Sequence, residues 1–314
     1  MKDLRIFTGR SNPRLSEQIV NYLGTSLGGV QLENFPDGEI SLKLFEDVRG
    51  RDAFVVQSTQ RPCNDHLMEL LIYIDCMKRA SAQRITAVMP YFAYARQDRK
   101  DEGRVPITAK LVANLLTVAG ASRVLTLDLH AAQIQGFFDI PVDNLSAEPV
   151  MTAFFESLDV GPITLVSPDI GNAKRARVYA ERLGGELAII DKRRVSGSEA
   201  VTYNIIGDVR GRTVLMVDDI IATAGTMVQA ARLVRERGAE RIIVAATHGV
   251  LAGPAIDRLA AAEIDHVAIT DTIPLSEEAR RRLPNLTVLT VSELLGEAIR
   301  RIHRNESVSS LFIK

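Results

Sequence analysis

The stretch VLMVDDIIATAGT, residues 214–226, holds side chains whose types and spacing suit chemistry. Apolar residues run straight into two adjacent carboxylates, Asp218 and Asp219. A run of small and hydroxyl residues follows, Ala222, Thr223, Ala224, Gly225 and Thr226, and a helical pattern opens near Thr226. A helix N-terminus presents unpaired N–H groups and about half a positive charge. Small residues ahead of it let an anion reach the backbone. One short segment thus offers anion donors at one end and hydroxyl acceptors at the other. A phosphorylated sugar fits both, with its phosphate on the turn and its hydroxyls on the carboxylates. Neither G-x-x-x-x-G-K-[ST] nor G-x-G-x-x-G occurs in the chain, so this is neither a Walker loop nor a dinucleotide fingerprint. A lone Asp after a strand would serve equally well as a helix cap.

The elements that must position these residues read as strands alternating with helices. Apolar runs occur at 4–7, 53–58, 84–90, 123–129, 163–169, 186–191, 213–219, 241–247 and 266–270. Nearly all are continuously apolar, as in parallel strands buried on both faces. The exception is EISLKLF, where Ile40, Leu42 and Leu44 alternate with polar residues, as on a half-exposed strand. Leu67, Leu70, Leu71, Ile74 and Met77 recur at helical spacing after an Asn64 cap. Pro106 sits in the first turn of a helix ending at Gly120, and two further helical patterns, GNAKRARVYAERLGG and TMVQAARLVRERGAE, also stop at glycine. The expected fold class is α/β: two similar open, mostly parallel sheets with helices on both faces. One covers residues 1–145 and the other 146–303, joined through DNLSAEPV, with the tail 304–314 packing back on the first. In such sheets ligands bind beyond the carboxyl ends of the strands, and Asp218 and Asp219 fall at that edge.

The 314 residues are 46% hydrophobic and 25% charged, with a formal net charge of −1. That balance gives no overall attraction to nucleic acid or an anionic membrane, so neither is expected as a partner. Cys63 and Cys76 have neither disulfide-framework nor zinc spacing. The N-terminal MKDLRIFTGR lacks the apolar core of a signal peptide, and no apolar run reaches the roughly 18 residues of a membrane span. The expected location is cytoplasmic.

Eight segments in order carry a resemblance. They are NFPDGEISLKL (34–44), QSTQRPCNDHLMELL (57–71), MPYFAYARQDRK (89–100), PITAKLVANLL (106–116), LDLHAAQIQGFFDIPVDNL (127–145), SPDIGNAKRAR (167–177), IIDKRR (189–194) and the loop above. The loop resembles the ribose-5-phosphate loop of the type I phosphoribosyltransferase fold. From end to end the chain is similar to the ribose-phosphate diphosphokinases. That resemblance implies transfer of the β,γ-diphosphate of ATP to the C1 hydroxyl of ribose 5-phosphate, giving PRPP and AMP, with Mg2+ as cofactor. It implies catalytic roles for Lys192 and Arg194, the lysine stabilising charge on the transferring group and the arginine gripping phosphate oxygens with its planar fork. From the four letters DKRR alone, a solvated basic turn would be as good a reading.

The resemblance also assigns His130 and Asp169 to metal or nucleotide. Asp128 and His130, two apart on an expected strand, would face one side. Arg96 and Gln97 would hold ATP, together with Phe35, Asp37, Gly38 and Glu39 from a neighbouring subunit. From residues alone, Phe35 would be core and Asp37-Gly38 a turn. The implied assembly is a homo-oligomer, a hexamer with shared sites. Ribose 5-phosphate would contact Arg194, Asp218, Asp219, Ala222, Thr223, Ala224, Gly225 and Thr226. Two departures stand out. Ala222 occupies a position where the family commonly has Asp, and Asp47 one where phosphate-activated members have Ser. A carboxylate at 47 would repel a regulatory phosphate, although Arg49, Ser81, Ser307 and Ser309 remain. Competing readings are a non-catalytic nucleotide-binding relative, expected to lack catalytic-loop or metal residues, and a PRPP-consuming phosphoribosyltransferase, which needs no YARQDRK or FPDGE segment.

Overall fold

The structure, a computed structural model, describes residues 3–158, 160–194 and 201–311, with the side chains of 192–194 and 201–203 outside that description. It divides into two units. The first comprises Met1–Ser146, Thr272–Pro274 and Thr290–Lys314; the second comprises Ala147–Asp271 and Leu275–Leu289.

The first unit runs β1 (Leu4–Thr8), α1 (Pro13–Leu23), β2 (Val30–Asn34), β3 (Ile40–Leu44), β4 (Asp52–Val56), α2 (Cys63–Arg79), β5 (Arg84–Met89), α3 (Thr108–Ala119), β6 (Arg123–Leu127) and β7 (Val142–Leu145). Strands β1-β4-β5-β6-β7 form a sheet in which every pairing is parallel. Its centre is as apolar as the sequence required: all five residues of β4 are buried. Phe7, Tyr73, Ile74, Met77, Met89 and Leu116 fill the core between this sheet and the α2–α3 pair. The half-exposed EISLKLF segment is β3, which pairs antiparallel with β2 in a separate hairpin.

Helix ends depart from the sequence reading in two places. Asn64 is not the cap of α2; that position is Pro62, without a side-chain cap, and Asn64 instead accepts a hydrogen bond from the Tyr94 hydroxyl. Pro106 precedes α3 rather than lying in its first turn. Gly120 does end that helix, at φ 123°.

The second unit runs α4 (Glu148–Glu156), β8 (Ile163–Ser167), α5 (Ala173–Leu183), β9 (Glu186–Arg194), β10 (Val201–Ile206), β11 (Thr213–Ile221), α6 (Gly225–Glu236), β12 (Arg241–Gly249), α7 (Ala255–Ala261), β13 (His266–Thr270), α8 (Glu277–Arg282) and β14 (Leu286–Leu289). The sheet order is β10-β9-β8-β11-β12-β13-β14, with β10 antiparallel on the edge and all other pairings parallel. From β8 the chain goes outward to β9 and β10. From β11 it goes outward the other way. The switch point therefore lies between β8 and β11, where an open sheet leaves a crevice at its carboxyl edge.

The last helix, α9 (Ser292–Arg304), belongs to the first unit, which takes up the chain from Thr290 rather than from 304. Its apolar stripe, Leu295, Ala298, Ile299 and Ile302, is buried, and the helix packs on α1. A polar clamp fixes its end. Asp52, 4% exposed, accepts from Arg84 Nε at 3.1 Å, again from Arg84 Nη2, and meets His303 Nδ1 at 2.9 Å. Arg84 Nη1 also donates to Asn305 Oδ1 at 2.6 Å. Removing the carboxylate leaves the arginine partly buried without its counter-charge. Asp52→Ala is expected to cost about 2–3 kcal/mol of unfolding free energy, to be read by urea denaturation.

Candidate active site

Strand β11 carries the twin acids near its carboxyl end. Asp219 is 5% exposed and Asp218 half-buried. The chain then crosses Ala222 and Thr223 to Ala224, which caps α6 in the left-handed region at φ 60°. No side chain caps this helix, so its first N–H groups face the loop and remain available to an anion. The loop is pinned from the neighbouring connection: Ala252 N donates to Ala222 O at 2.8 Å, Leu251 N to Ile221 O at 3.0 Å, and Arg258 Nη1 to Thr223 O at 3.0 Å. Holding Ala224 at positive φ costs strain that such pinning must outweigh.

The other side of the switch point supplies the counter-charge. After β8 the chain reaches Asp169, exposed, whose Oδ1 accepts from Asn172 N at 2.9 Å. Asn172 Nδ2 donates to Val217 O at 2.7 Å, tying this turn to β11. In the first turn of α5, Arg175 Nη1 lies 3.8 Å from Asp219 Oδ1. Asp169, Asp218, Asp219 and the 222–226 loop are thus brought to one edge of the second unit. Arg175 and Arg258 were missed by sequence reasoning. Arg175 lay in a recognised segment, but nothing local marked it as facing the acids. Arg258 had no signal, being one charge in a seven-residue helix.

Two acids this close share a field. Burial, then the hydrogen bond and charge of Asp219, push Asp218 up from 3.8 to about 7, with Arg175 pulling weakly the other way. Near neutral pH the pair is therefore partly protonated, and hydroxyl donors that bind the acids should displace that proton. Affinity for a phosphorylated sugar held by these acids is expected to fall about tenfold between about pH 8 and about pH 6 in calorimetric titrations. The ligand's own phosphate titrates near the lower end, so an Asp218→Asn protein serves as reference and should keep only that smaller part.

In the first unit the loops after β5 and β6 leave the same sheet edge, and Gln133 Nε2 joins them by donating to Asp98 Oδ2 at 3.0 Å. Arg96 and Gln97 lie in the first of these loops. Gln97 O accepts from Ala109 N at 3.2 Å and its side chain accepts from the Thr108 hydroxyl. His130 is exposed in the second. Strand β6 stops at Leu127, so Asp128 and His130 are not on a strand facing one side. Asp128 takes φ 39° in the loop, and its N–H donates to Leu145 O. Phe35 is not core but 53% exposed at the tip of the β2–β3 hairpin, with Asp37 and Gly38 in the turn.

Lys192 and Arg194 lie within β9, not after it, opposite Tyr203 and Val201 of β10. Their side chains fall outside the described residues. Among the described residues, no three His, Cys, Asp or Glu side chains cluster as a metal site. No helix there is long and apolar enough to cross a membrane. Asp47 Oδ1 accepts from Arg49 N at 3.0 Å, and Arg49 Nη1 donates to Ser81 Oγ at 3.2 Å.

Comparison with known proteins agrees along the whole chain. Residues 4–120 match the family described as the N-terminal domain of ribose phosphate pyrophosphokinase, and residues 194–313 match the phosphoribosyl synthetase-associated domain. The ribose-phosphate pyrophosphokinase of Rhodopirellula baltica is 58% identical over 315 residues, covering 99% of each chain. That of Caldanaerobacter subterraneus subsp. tengcongensis is 54% identical, covering 98% of each. The crystal structure of phosphoribosylpyrophosphate synthetase from Mycobacterium smegmatis matches with a TM-score of 0.91 at 44% identity, over 96% of this chain and 99% of that one. With relatives this similar over its full length, and with twin acids and an uncapped helix at the switch point of its second sheet, the chain belongs to the ribose-phosphate pyrophosphokinase family.

Proposed function

We propose that this protein transfers the β,γ-diphosphate of ATP to ribose 5-phosphate. The C1 hydroxyl oxygen attacks the β-phosphorus, the bond from that phosphorus to the α–β bridging oxygen breaks, and AMP leaves with the bridging oxygen. The hydroxyl proton is released and PRPP remains. The observation that carries this reading is the β11–α6 segment. Its acids, Asp219 buried and Asp218 half-buried, can accept from ribose hydroxyls while the backbone N–H groups of 222–226 hold the 5-phosphate. The missing Asp at Ala222 leaves those N–H groups in place, and the Ala252–Ala222 hydrogen bond supports their position.

In this reading Lys192 neutralises charge gathering on the transferred group, and Arg194 grips its oxygens. Arg96 and Gln97 hold ATP, and Phe35, Asp37, Gly38 and Glu39 serve a neighbouring subunit's adenine in a homo-oligomer, expected to be a hexamer. An exposed phenylalanine at a hairpin tip supports that role, since its ring is left for an outside surface. His130 in the first unit and Asp169 in the second are each proposed, separately, as a contact of Mg2+. The exposed Asp169 carboxylate suits a hard cation that takes one or two carboxylates and completes its shell with substrate phosphates and water. When bound, magnesium supplies charge neutralisation of the polyphosphate. We place the protein in the cytoplasm, consistent with two unpaired cysteines. Asp47 accepts from the Arg49 N–H, and its carboxylate disfavours a regulatory phosphate there, while Arg49, Ser81, Ser307 and Ser309 remain to attract one.

The test is direct. Protein, ATP, magnesium and ribose 5-phosphate should yield AMP and PRPP in equal amounts. AMP without PRPP, or no turnover, rejects the reading.

A further inference from the structure

We infer that Arg10, Asn34 and Glu69 form a polar relay that positions the tip of the β2–β3 hairpin, and so are positioning residues for the nucleotide contact assigned above to Phe35, Asp37, Gly38 and Glu39. The relay starts in the core. Glu69, on α2, has a side chain only 1% exposed. Its Oε1 accepts from the backbone N–H of Arg10 at 2.7 Å and from Gln57 Nε2 at 2.8 Å, and its Oε2 accepts from Arg10 Nε at 2.5 Å. The packing is close: at position 9 a Cβ would lie 2.1 Å from Gln57 Oε1 and 2.7 Å from Glu69 Oε1, so a larger residue there would push these side chains aside. Arg10 is thereby held at both its backbone and its guanidinium.

The free arm of the same guanidinium reaches outward. Arg10 Nη1 donates to Asn34 Oδ1 at 2.6 Å, and Asn34 Nδ2 donates to Gly38 O at 2.9 Å. Asn34 is the last paired residue of β2, opposite Ile40. Beyond it the tip closes on itself through Phe35 N to Glu39 O and Gly38 N to Phe35 O, both 2.8 Å. A buried carboxylate is thus connected, through one arginine and one amide, to the carbonyl of the turn.

Apolar packing cannot hold the tip in the same way. The base of the hairpin is packed, because Leu32, Leu42 and Leu44 lie against the first unit's core. Its tip is not. A cleft of about 650 Å3, lined by Arg10, Asn34, Gly38, Glu39, His66 and Glu69 among others, separates the hairpin end from α2. Across that cleft the turn takes its position from directed hydrogen bonds. Arginine is the side chain that suits this geometry, because Nε and Nη1 hold two acceptors at once in a rigid fork. A lysine ammonium on a flexible stem cannot reproduce that arrangement.

The test uses the full chain with Arg10→Lys, Asn34→Ala and the double variant. Hydrogen exchange at the Phe35 and Gly38 amides reads the relay itself, and the KM for ATP reads its use. Both single variants should exchange faster at these amides and raise the KM for ATP about tenfold, the size expected for a lost hydrogen bond to a charged group, with the KM for ribose 5-phosphate unchanged. The double variant should be no worse than Asn34→Ala, because both changes cut one relay. Unchanged exchange overturns the relay. Faster exchange with an unchanged KM for ATP upholds the relay and overturns the nucleotide role given to 35–39.

Discussion

Asp218→Asn is expected to yield a protein that is more stable than the parent at about pH 8 and about a hundredfold poorer in kcat/KM for ribose 5-phosphate. The two effects have one origin. Asp218 is raised to about 7 by burial and by its neighbour Asp219, from an ordinary 3.8. A carboxylate raised in the folded state contributes stability that is complete below about pH 4 and is lost as pH rises through about 7. At about pH 8 the folded site holds two charges that oppose each other, with Arg175 3.8 Å from Asp219 offsetting part of that repulsion. An amide at 218 removes that repulsion and should flatten the stability profile between about pH 5 and about pH 8. In the proposed reading it also removes an anionic acceptor for a ribose hydroxyl, so the ligand would lose a charge-assisted hydrogen bond in a poorly hydrated site. Thermal unfolding at the two pH values, with steady-state kinetics at the higher one, measures both. A variant less stable than the parent at about pH 8 would mean that the acids are not in conflict. Unchanged kinetics would remove the sugar from this pair.

Lys192→Ala is expected to lower kcat about a thousandfold and leave ATP affinity within about twofold. In diphosphoryl transfer little covalent work falls to the protein, and positioning and charge stabilisation supply most of the rate. A cation that meets its partner charge only as the β-phosphorus changes hands acts on the transition state and not on bound ATP. The strand position of Lys192 supports such a role, because a residue in the β9–β10 pairing is placed by a ladder rather than by a loop. Equilibrium binding of ATP, set against single-turnover measurements, separates the two quantities. A parallel loss of binding and turnover would make Lys192 a ground-state contact instead.

The segment of the candidate site is legible in the sequence. The twin acids, the small-residue turn and the helix behind it are contiguous, so a candidate chemistry can be read from 13 letters, and β11 and α6 stand where the apolar run and the glycine placed them. Local reading failed where a side chain has two good environments. Phe35 reads as core by its hydrophobicity, yet it sits at a hairpin tip with half its surface open. Asp128 and His130 read as a strand pair because the residues before them are mostly apolar, yet β6 ends at Leu127. The register of the neighbouring strand decided that boundary, since β7 pairs with β6 only as far as Leu127.

By itself, then, the chain's order of residues determined most of the central strands and several of the helices, their burial on both faces, and the short segment that sets two acids ahead of small residues and a helix start. Tertiary structure alone decided that β8 lies beside β11, so that Arg175 meets Asp219 across 44 positions of sequence. It also decided that α9 joins the first unit through Asp52, Arg84 and His303, and that Arg10 reaches both Glu69 and Asn34. The physical reason is that periodicity records how much of a segment must leave water, a property of the segment. Which partner covers it depends on sheet order and on directed bonds between residues far apart in the chain, and neither leaves a periodic mark.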